Sequence, residues 1–269
     1  MKRPLTLFTL SLLILLTAWA NAADLSSTKP PRVILVGDST MASKSGYGDA
    51  LCRRFRPEVA CINLARGGRS TGSFRAEGRW DEVQALLRAS APYSATYVLI
   101  QFGHNDQPGK PGRSTDLVTQ FPANLARYAT EVTALGGVPV LLTPLTRRSF
   151  KGQYLHNDLA PWADATRRAA RAQKVALLDL NALSGAAVQA MGQDEADTLA
   201  QAPKPVAEAS VAGAAAVEPQ GAPKSAFDRT HVGAKGSALF SGMVAGELKR
   251  LFPTLAPAFE DAAALSQRP

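Results

Sequence analysis

Five short apolar runs recur along the chain and alternate with longer stretches of mixed polarity. The runs cover 33–36, 61–64, 97–100, 138–142 and 175–179. Most are apolar at consecutive positions, which is typical of parallel strands covered on both faces. Helices are predicted between and after them, at about 48–55, 80–88, 121–135, 162–173 and 234–252. Strand and helix in alternation predict an α/β fold with one parallel, doubly wound sheet of five strands in a single domain.

The first residues have the features of an export signal. A basic start at Lys2 and Arg3 precedes an uncharged run at 5–19, and small residues suited to signal peptidase follow it. The apolar run is short for a membrane span. We therefore predict a signal peptide over 1–22, a mature domain over 23–269, and a secreted or periplasmic protein with no membrane partner. The alternative is an uncleaved N-terminal anchor.

One stretch, 194–226, departs from the alternating pattern. It is rich in Ala, Pro, Glu and Gln and has few bulky apolar residues. Such a composition buries too little surface to offset the entropy lost on ordering, so we predict a mobile insertion. It is either a lid that faces a ligand or a neutral surface insertion.

Basic residues outnumber acidic ones and give the chain a formal net charge of +8. A basic surface favours anionic partners such as uronic-acid polymers. The basic residues are scattered, however, and no basic run is interleaved with aromatic residues, so no nucleic-acid partner is predicted. The alternative is a soluble basic surface without a specific anionic partner.

The chain has two cysteines and three histidines. In an exported protein Cys52 and Cys61 either form a disulfide or remain two small buried residues, and the sequence favours neither. Two cysteines are too few for a zinc site, and His104, His156 and His231 lack the spacing of metal ligands. Neither a metal nor another cofactor is predicted.

Residues capable of chemistry follow the apolar runs. In an open α/β sheet, reactive groups gather at the carboxyl ends of the strands. The motifs found there, and before the last helix, are Gly37-Asp38-Ser39-Thr40, Ala65-Arg66-Gly67-Gly68-Arg69-Ser70, Phe102-Gly103-His104-Asn105-Asp106 and Asp228-Arg229-Thr230-His231. Each motif alone has an ordinary explanation as a helix cap, a turn or a solvated helix start. Four such motifs in order indicate a catalytic site.

Serine, histidine and aspartate together can support nucleophilic catalysis. A serine hydroxyl is a weak nucleophile at neutral pH and needs a base within hydrogen-bond reach, which His231 can provide for Ser39. Asp228 can fix the tautomer of His231 and stabilise the imidazolium that forms. Backbone N–H groups and an amide side chain can stabilise the oxyanion of an ester under attack.

These motifs resemble those of the SGNH hydrolases, the GDSL-type family, and the similarity covers the mature chain apart from the insertion. The resemblance implies a three-layer αβα fold with a flavodoxin-like sheet. It implies that Ser39 is the nucleophile, His231 the base and Asp228 its partner. It also implies an oxyanion hole made by the Ser39 and Gly68 N–H groups and the Asn105 side chain.

Further motifs resemble one branch of that family, the rhamnogalacturonan acetylesterases. Thr40 and Met41 stand where the motif that names the family has leucine. The matching segments are 37–41, 68–70, 77–80 and 102–106. The second of these favours Gly68 over Gly67 in the oxyanion hole. The branch implies a secreted serine esterase that removes O-acetyl groups from a plant cell-wall polysaccharide, pectic rhamnogalacturonan, through an acyl-enzyme, and we expect a monomer.

Other functions use the same frame. An acetylxylan esterase or a short-chain lipid esterase would carry the same catalytic residues, although the insertion lacks the apolar clusters of a lipid-binding lid. A non-catalytic carbohydrate-binding protein would not need Ser39. A nucleotide-binding protein of flavodoxin type is disfavoured because no glycine-rich phosphate loop precedes the first helix.

Five residues are assigned supporting roles. Arg147, Arg148 and His156 follow the fourth strand, so they are expected at the same sheet edge as substrate contacts, and the arginine pair would bind a galacturonate carboxylate. His104 is either a second base or a residue that orients its own loop. Asp38 is expected to hold the serine turn through backbone hydrogen bonds.

Overall fold

The computed structural model of the chain describes residues 29–204 and 227–261. Its strands are β1 (Arg32–Gly37), β2 (Ala60–Asn63), β3 (Thr96–Gln101), β4 (Val138–Leu142), β5 (Phe150–Lys151), β6 (Tyr154–Leu155) and β7 (Ala176–Leu178). Five of them form a parallel sheet in the order β2-β1-β3-β4-β7, whereas β5 and β6 form a short antiparallel hairpin. This order confirms the predicted flavodoxin-like sheet.

Helices cover both faces of the sheet. They are α1 (Gly48–Cys52), α2 (Ser73–Ala76), α3 (Arg79–Arg88), α4 (Gln120–Ala134), α5 (Ala160–Gln173), α6 (Leu180–Asp197) and α7 (Ala234–Leu251), and a 3-10 helix follows at Pro253–Ala258. Val33 and Leu35 pack in a core with α1, α6 and α7, whereas Ile34 and Val36 pack in a second core with α3, α4 and α5. Because side chains alternate along a strand, one strand supplies both cores. The predicted three-layer αβα fold is confirmed.

The strand order determines where the reactive residues meet. From β1 the chain passes to β2 on one side and then to β3 on the other, so the order of the sheet reverses beside β1. A crevice forms at such a reversal, outside the carboxyl ends of the strands. A side chain at Gly37, the last residue of β1, would place its Cβ 2.7 Å from the carbonyl oxygen of Gln101 on β3. Glycine is therefore required there for the two strand ends to lie this close.

The prediction of a mobile insertion is wrong for its first residues. Helix α6, which the apolar pattern did not predict, continues to Asp197, with a break at Gly192. Ala196, Asp197 and Leu199 are buried, and Ala200 pairs with Val232 as an isolated β-bridge. The stretch 194–204 is therefore part of the folded domain. The remaining part of the predicted insertion, 205–226, lies outside the described residues.

The two cysteines form a disulfide. The Cα atoms of Cys52 and Cys61 are 5.3 Å apart, and the bond joins the end of α1 to β2. Both side chains pack against the core that contains α1, α6 and α7. The structure thus decides between the two possibilities that the sequence left open.

The predicted signal peptide lies outside the described residues, which begin at residue 29. Within the part of the chain that the structure describes, none of the helices has the length and apolar character needed to cross a membrane.

Removing the disulfide is expected to lower the free energy of unfolding by about 2–3 kcal/mol, since a cross-link at this short separation restricts the unfolded chain. The variant is the double substitution Cys52→Ser, Cys61→Ser, and the measurement is urea unfolding against the wild-type protein. Treating the wild type with a reducing agent should reproduce the loss, and the double variant should be insensitive to the same agent. Equal stability of wild type and variant would contradict a native disulfide.

Candidate active site

Ser39 lies in a tight turn that Asp38 holds together. The Oδ1 atom of Asp38 accepts hydrogen bonds from the backbone N–H and the hydroxyl of Thr40, at 2.9 and 2.8 Å. The carbonyl of Asp38 also accepts from the backbone N–H groups of Met41 and Ala42. This bonding is the role that the sequence predicted for Asp38. It leaves the Ser39 side chain half-buried at the end of β1.

His231 and Asp228 bond to each other within one turn. Nδ1 of His231 lies 2.7 Å from Oδ2 of Asp228, and the backbone N–H groups of Thr230 and His231 donate to Oδ1 at 2.8 and 3.1 Å. Burial alone would raise the pKa of Asp228, but these hydrogen bonds outweigh it and hold that pKa well below its usual range. The carboxylate is therefore ionised and can orient the imidazole so that Nε2 is free to accept a proton.

The Asp228–His231 turn is tied to the Ser39 turn by hydrogen bonds through Ser45. The backbone N–H of Val232 donates to the Ser45 carbonyl at 3.0 Å, and the Ser45 hydroxyl donates to the Ser39 carbonyl at 2.8 Å. A second link joins the Ser237 hydroxyl to the Gly46 carbonyl at 2.9 Å. Residues separated by nearly the whole chain are therefore neighbours at one edge of the sheet.

The glycine and asparagine motifs meet beside Ser39. The Asn105 Nδ2 atom donates to the Arg69 carbonyl at 3.1 Å, which brings the third motif against the second. Gly67 faces Ser39, because a Cβ built on Gly67 would lie 3.7 Å from the Ser39 Cβ. Gly68 has a φ of +78°, which is favourable for glycine and strained for other residues. Gly67 is thus beside Ser39, and the next residue, Gly68, has the backbone conformation that requires glycine.

Asp106 holds Thr71, the residue directly after the second motif, in place by hydrogen bonds. This role was not assigned from the sequence. Its Oδ1 atom accepts from the Thr71 N–H at 3.0 Å, from the Thr71 hydroxyl at 2.5 Å and from the Thr115 hydroxyl at 2.9 Å. The side chain is fully buried, and burial raises the pKa of Asp106 to about 6 in spite of these hydrogen bonds. The sequence did contain a signal for this role, namely the Asn105-Asp106 pair after a buried strand. The second polar residue of such a pair must find hydrogen-bond partners inside the protein.

His104 is buried behind the site. Its Nδ1 atom is 3.4 Å from Asp38 Oδ2, and only 2% of the residue is exposed. Burial lowers the pKa of His104, although Asp38 acts in the opposite direction. A neutral, enclosed imidazole that joins the serine turn to the Asn105 loop fits the orienting role better than that of a second base.

The prediction that Arg148 binds substrate is wrong. Its side chain is fully buried, and its guanidinium donates to the backbone carbonyls of His231 at 2.7 Å, Asp228 at 3.1 Å and Thr230 at 3.4 Å. Burial lowers the pKa of Arg148 to about 10, so it remains a cation at neutral pH. The fork of N–H donors points at the Asp228–His231 turn because a buried guanidinium must satisfy its donors inside the protein.

The other two predicted substrate contacts lie at the rim of the site. Arg147 forms an ion pair with Asp158 and donates to the Thr230 hydroxyl at 3.2 Å and to Gln107 Oε1 at 2.9 Å. His156 is exposed, just after the β5–β6 hairpin. Arg147 is therefore adjacent to the His231 turn, whereas the structure shows no contact between His156 and that turn.

Neither part of the described chain, 29–204 or 227–261, brings together three or more His, Cys, Asp or Glu side chains in a group that could hold a metal ion. The arrangement can activate a hydroxyl by removing its proton and can donate hydrogen bonds to a negatively charged oxygen.

Comparison with known proteins identifies relatives that cover most of the fold. Residues 35–239 match the GDSL-like Lipase/Acylhydrolase family. The rhamnogalacturonan acetylesterase RhgT of Bacillus subtilis strain 168 is 35% identical over 179 residues, which cover 64% of this chain and 74% of that protein. The probable rhamnogalacturonan acetylesterase YesY of the same strain is 31% identical over 173 residues, covering 62% and 77%.

A solved structure supports the fold independently of close sequence similarity. The crystal structure of protein YxiM from Bacillus subtilis superposes with a TM-score of 0.61 at 22% identity, covering 83% of this chain and 57% of that one.

Replacing Arg148 by methionine is expected to loosen the turn that it supports. Three carbonyls lose their charged donor, so the free energy of unfolding should fall by about 2–4 kcal/mol. Amide exchange, measured by mass spectrometry, should accelerate in peptides that span 228–232. Arg147→Met is the matched control, because a partly exposed ion pair should contribute no more than about 1 kcal/mol. Unchanged exchange in the Arg148 variant would refute this role.

Asp106→Asn is expected to change how stability depends on pH. Because the pKa of Asp106 is about 6 in the folded protein, the folded chain keeps a proton that the unfolded chain has released, and stability falls as pH rises from about 4 to about 6. Asparagine keeps the acceptor without this titration. The measured quantity is the free energy of unfolding of the variant minus that of the wild type, from urea unfolding. Between pH 4 and pH 7 this difference should increase by up to about 3 kcal/mol. A constant difference across that range would argue against the raised pKa.

Proposed function

The chain belongs to the GDSL-like lipase/acylhydrolase family and is a carboxylic ester hydrolase, and we propose that its reaction is the removal of O-acetyl groups from pectic rhamnogalacturonan. One observation carries the catalytic part of the proposal: the bonded Asp228–His231 pair is tied through Ser45 to the turn that presents Ser39. The substrate part rests on the two Bacillus relatives, which are named as acetylesterases for this polymer.

In the proposed first step the Ser39 hydroxyl attacks the acetyl carbonyl while His231 Nε2 takes its proton. Asp228 stabilises the resulting imidazolium, and its depressed pKa keeps it ionised throughout. The tetrahedral intermediate collapses when His231 returns the proton to the sugar oxygen, which leaves as a free hydroxyl. The acetyl group is then bound to Ser39 as an ester.

The oxyanion formed in this step needs donors beside Ser39. The backbone N–H groups of Ser39 and Gly68 and the amide of Asn105 are assigned to it. Asn105 has two N–H donors, of which one is used on the Arg69 carbonyl, so the other is available. Water, activated by the same His231, then attacks the acyl-enzyme and releases acetate.

The proposal includes export. A signal peptide over 1–22 would direct the chain to the periplasm or the medium, and the Cys52–Cys61 disulfide fits an oxidising compartment. The mature protein would act there as a monomer on an acetylated polysaccharide. Acetylated xylan and short-chain lipid esters remain the competing substrates, because the same catalytic residues would serve them.

Ser39→Ala is expected to abolish acetate release while leaving the fold intact. Asp228→Asn should lower kcat by roughly 10³- to 10⁴-fold, because the imidazole loses its orienting carboxylate. The assays are hydrolysis of p-nitrophenyl acetate, labelling of Ser39 by a fluorophosphonate probe, and acetate release from acetylated rhamnogalacturonan, acetylated xylan and a short-chain triacylglycerol.

Asp164→Asn is the control for these variants, since Asp164 is an exposed aspartate that pairs with Arg167 on α5; its activity should match wild type. Full activity of Ser39→Ala would indicate a carbohydrate-binding protein or a different nucleophile. Faster acetate release from xylan than from rhamnogalacturonan would leave the catalytic assignment intact and overturn the proposed substrate.

A further inference from the structure

A lysine lies directly behind the oxyanion donors and has no assigned function. The ammonium of Lys110 donates a hydrogen bond to the carbonyl of His104, the residue before Asn105. An ammonium has three N–H donors, so two remain for other partners. Among residues 29–204 and 227–261, no carboxylate forms an ion pair with Lys110. Its charge is therefore held near Asn105 without direct neutralisation.

Arg147 places a second positive charge near Lys110. It donates to Gln107 in the loop that carries Lys110 and to Thr230 beside His231. Asp158, which is partly exposed, forms an ion pair with Arg147. Burial lowers the pKa of Lys110, and the charges of Arg147 and Arg113 lower it further, whereas Asp38 and Asp106 act in the opposite direction. A bound anion would be attracted by both Lys110 and Arg147.

The surface beside Lys110 is concave. A cleft of about 340 Å³ is lined by Gly109, Lys110, Pro111, Gly112 and Ser114. Gly112 and Ser114 also line a larger cleft of about 520 Å³ that extends towards α2 and α4. The smaller cleft is largely open to solvent. The loop 107–116 thus offers room for part of a sugar chain.

We propose that Lys110 and Arg147 form a carboxylate-binding subsite that holds an acidic sugar next to the acetylated one. This inference rests on the proposed function and specifies how the enzyme distinguishes acidic from neutral polymers. Lys110 makes the direct contact with its free donors. Arg147 adds charge and connects the subsite to the His231 turn, because three of its N–H groups already bind Thr230, Asp158 and Gln107.

The subsite is tested by comparing acetylated rhamnogalacturonan oligosaccharides with free and with methyl-esterified carboxyl groups. The measured quantity is the ratio of kcat/KM for the free acid to that for the methyl ester. Lys110→Gln is expected to lower this ratio by about 10- to 100-fold, mainly through KM, since a charged hydrogen bond is lost. Arg147→Gln should lower it by about 3- to 10-fold.

Lys29→Gln provides a matched control at the opposite edge of the sheet. Lys29 also donates to one backbone carbonyl, that of Ala91, but it lies before β1 and far from the strand ends that carry the site. Its substitution should leave the ratio unchanged. Raising the salt concentration should lower the ratio for the wild type and should have less effect on Lys110→Gln.

Two results would overturn the subsite. An equal loss on both substrates in Lys110→Gln would mean that Lys110 only supports the Asn105 loop, and no change in the ratio would mean that it binds no carboxylate. Failure of the proposed function is recognised separately: the wild type would then hydrolyse p-nitrophenyl acetate but release no acetate from either oligosaccharide.

Discussion

Arg148 is a buried cation whose donors are directed at the backbone of Asp228, Thr230 and His231. The turn that carries His231, the proposed general base, has no regular secondary structure, and its residues are partly exposed. The guanidinium supports this turn from beneath, in addition to the Val232–Ser45 bond and to the Asp228 side chain that holds the imidazole. Burying an arginine without a bonded carboxylate is unfavourable by itself, and the hydrogen bonds to the three carbonyls offset this cost while they fix the position of the turn.

Two further buried polar groups complete the frame. Asp38 and His104 lie against each other behind the serine turn, and Asp106 bonds to Thr71 and Thr115 behind the Asn105 loop. Each group joins two strand-end loops. The supporting side chains are therefore enclosed and held by the surrounding loops, whereas Ser39 and His231 stay partly open to solvent.

The sequence predicted the sheet well because strands buried on both faces leave consecutive apolar residues, as in β1 and β3. Helix α6 was missed because its many small residues give little amphipathic pattern, and the first part of the predicted insertion belongs to it. The motifs located the four reactive segments, since those residues follow predicted strands or precede a predicted helix. Which side chains of these segments bond to each other, and how exposed each one is, could not be predicted from the sequence. A polar residue after a strand can face solvent or a buried stretch of backbone. The packing of the folded chain leaves Arg147 partly exposed and directs Arg148 at buried backbone carbonyls.

The positions of Ser39 and His231 along the chain determine how much of the protein must fold before it can be catalytically active. Ser39, the proposed nucleophile, follows the first strand, whereas His231, the proposed base, precedes α7. Helix α7 is bonded to the segment just after α1, because Arg54 donates to the Ser241 hydroxyl and the Ala238 carbonyl. With His231 as the proposed base, a chain in which the segment before α7 has not docked beside β1 would lack the partner that deprotonates Ser39. Turnover would then report on this long-range contact and not only on the presence of the sheet.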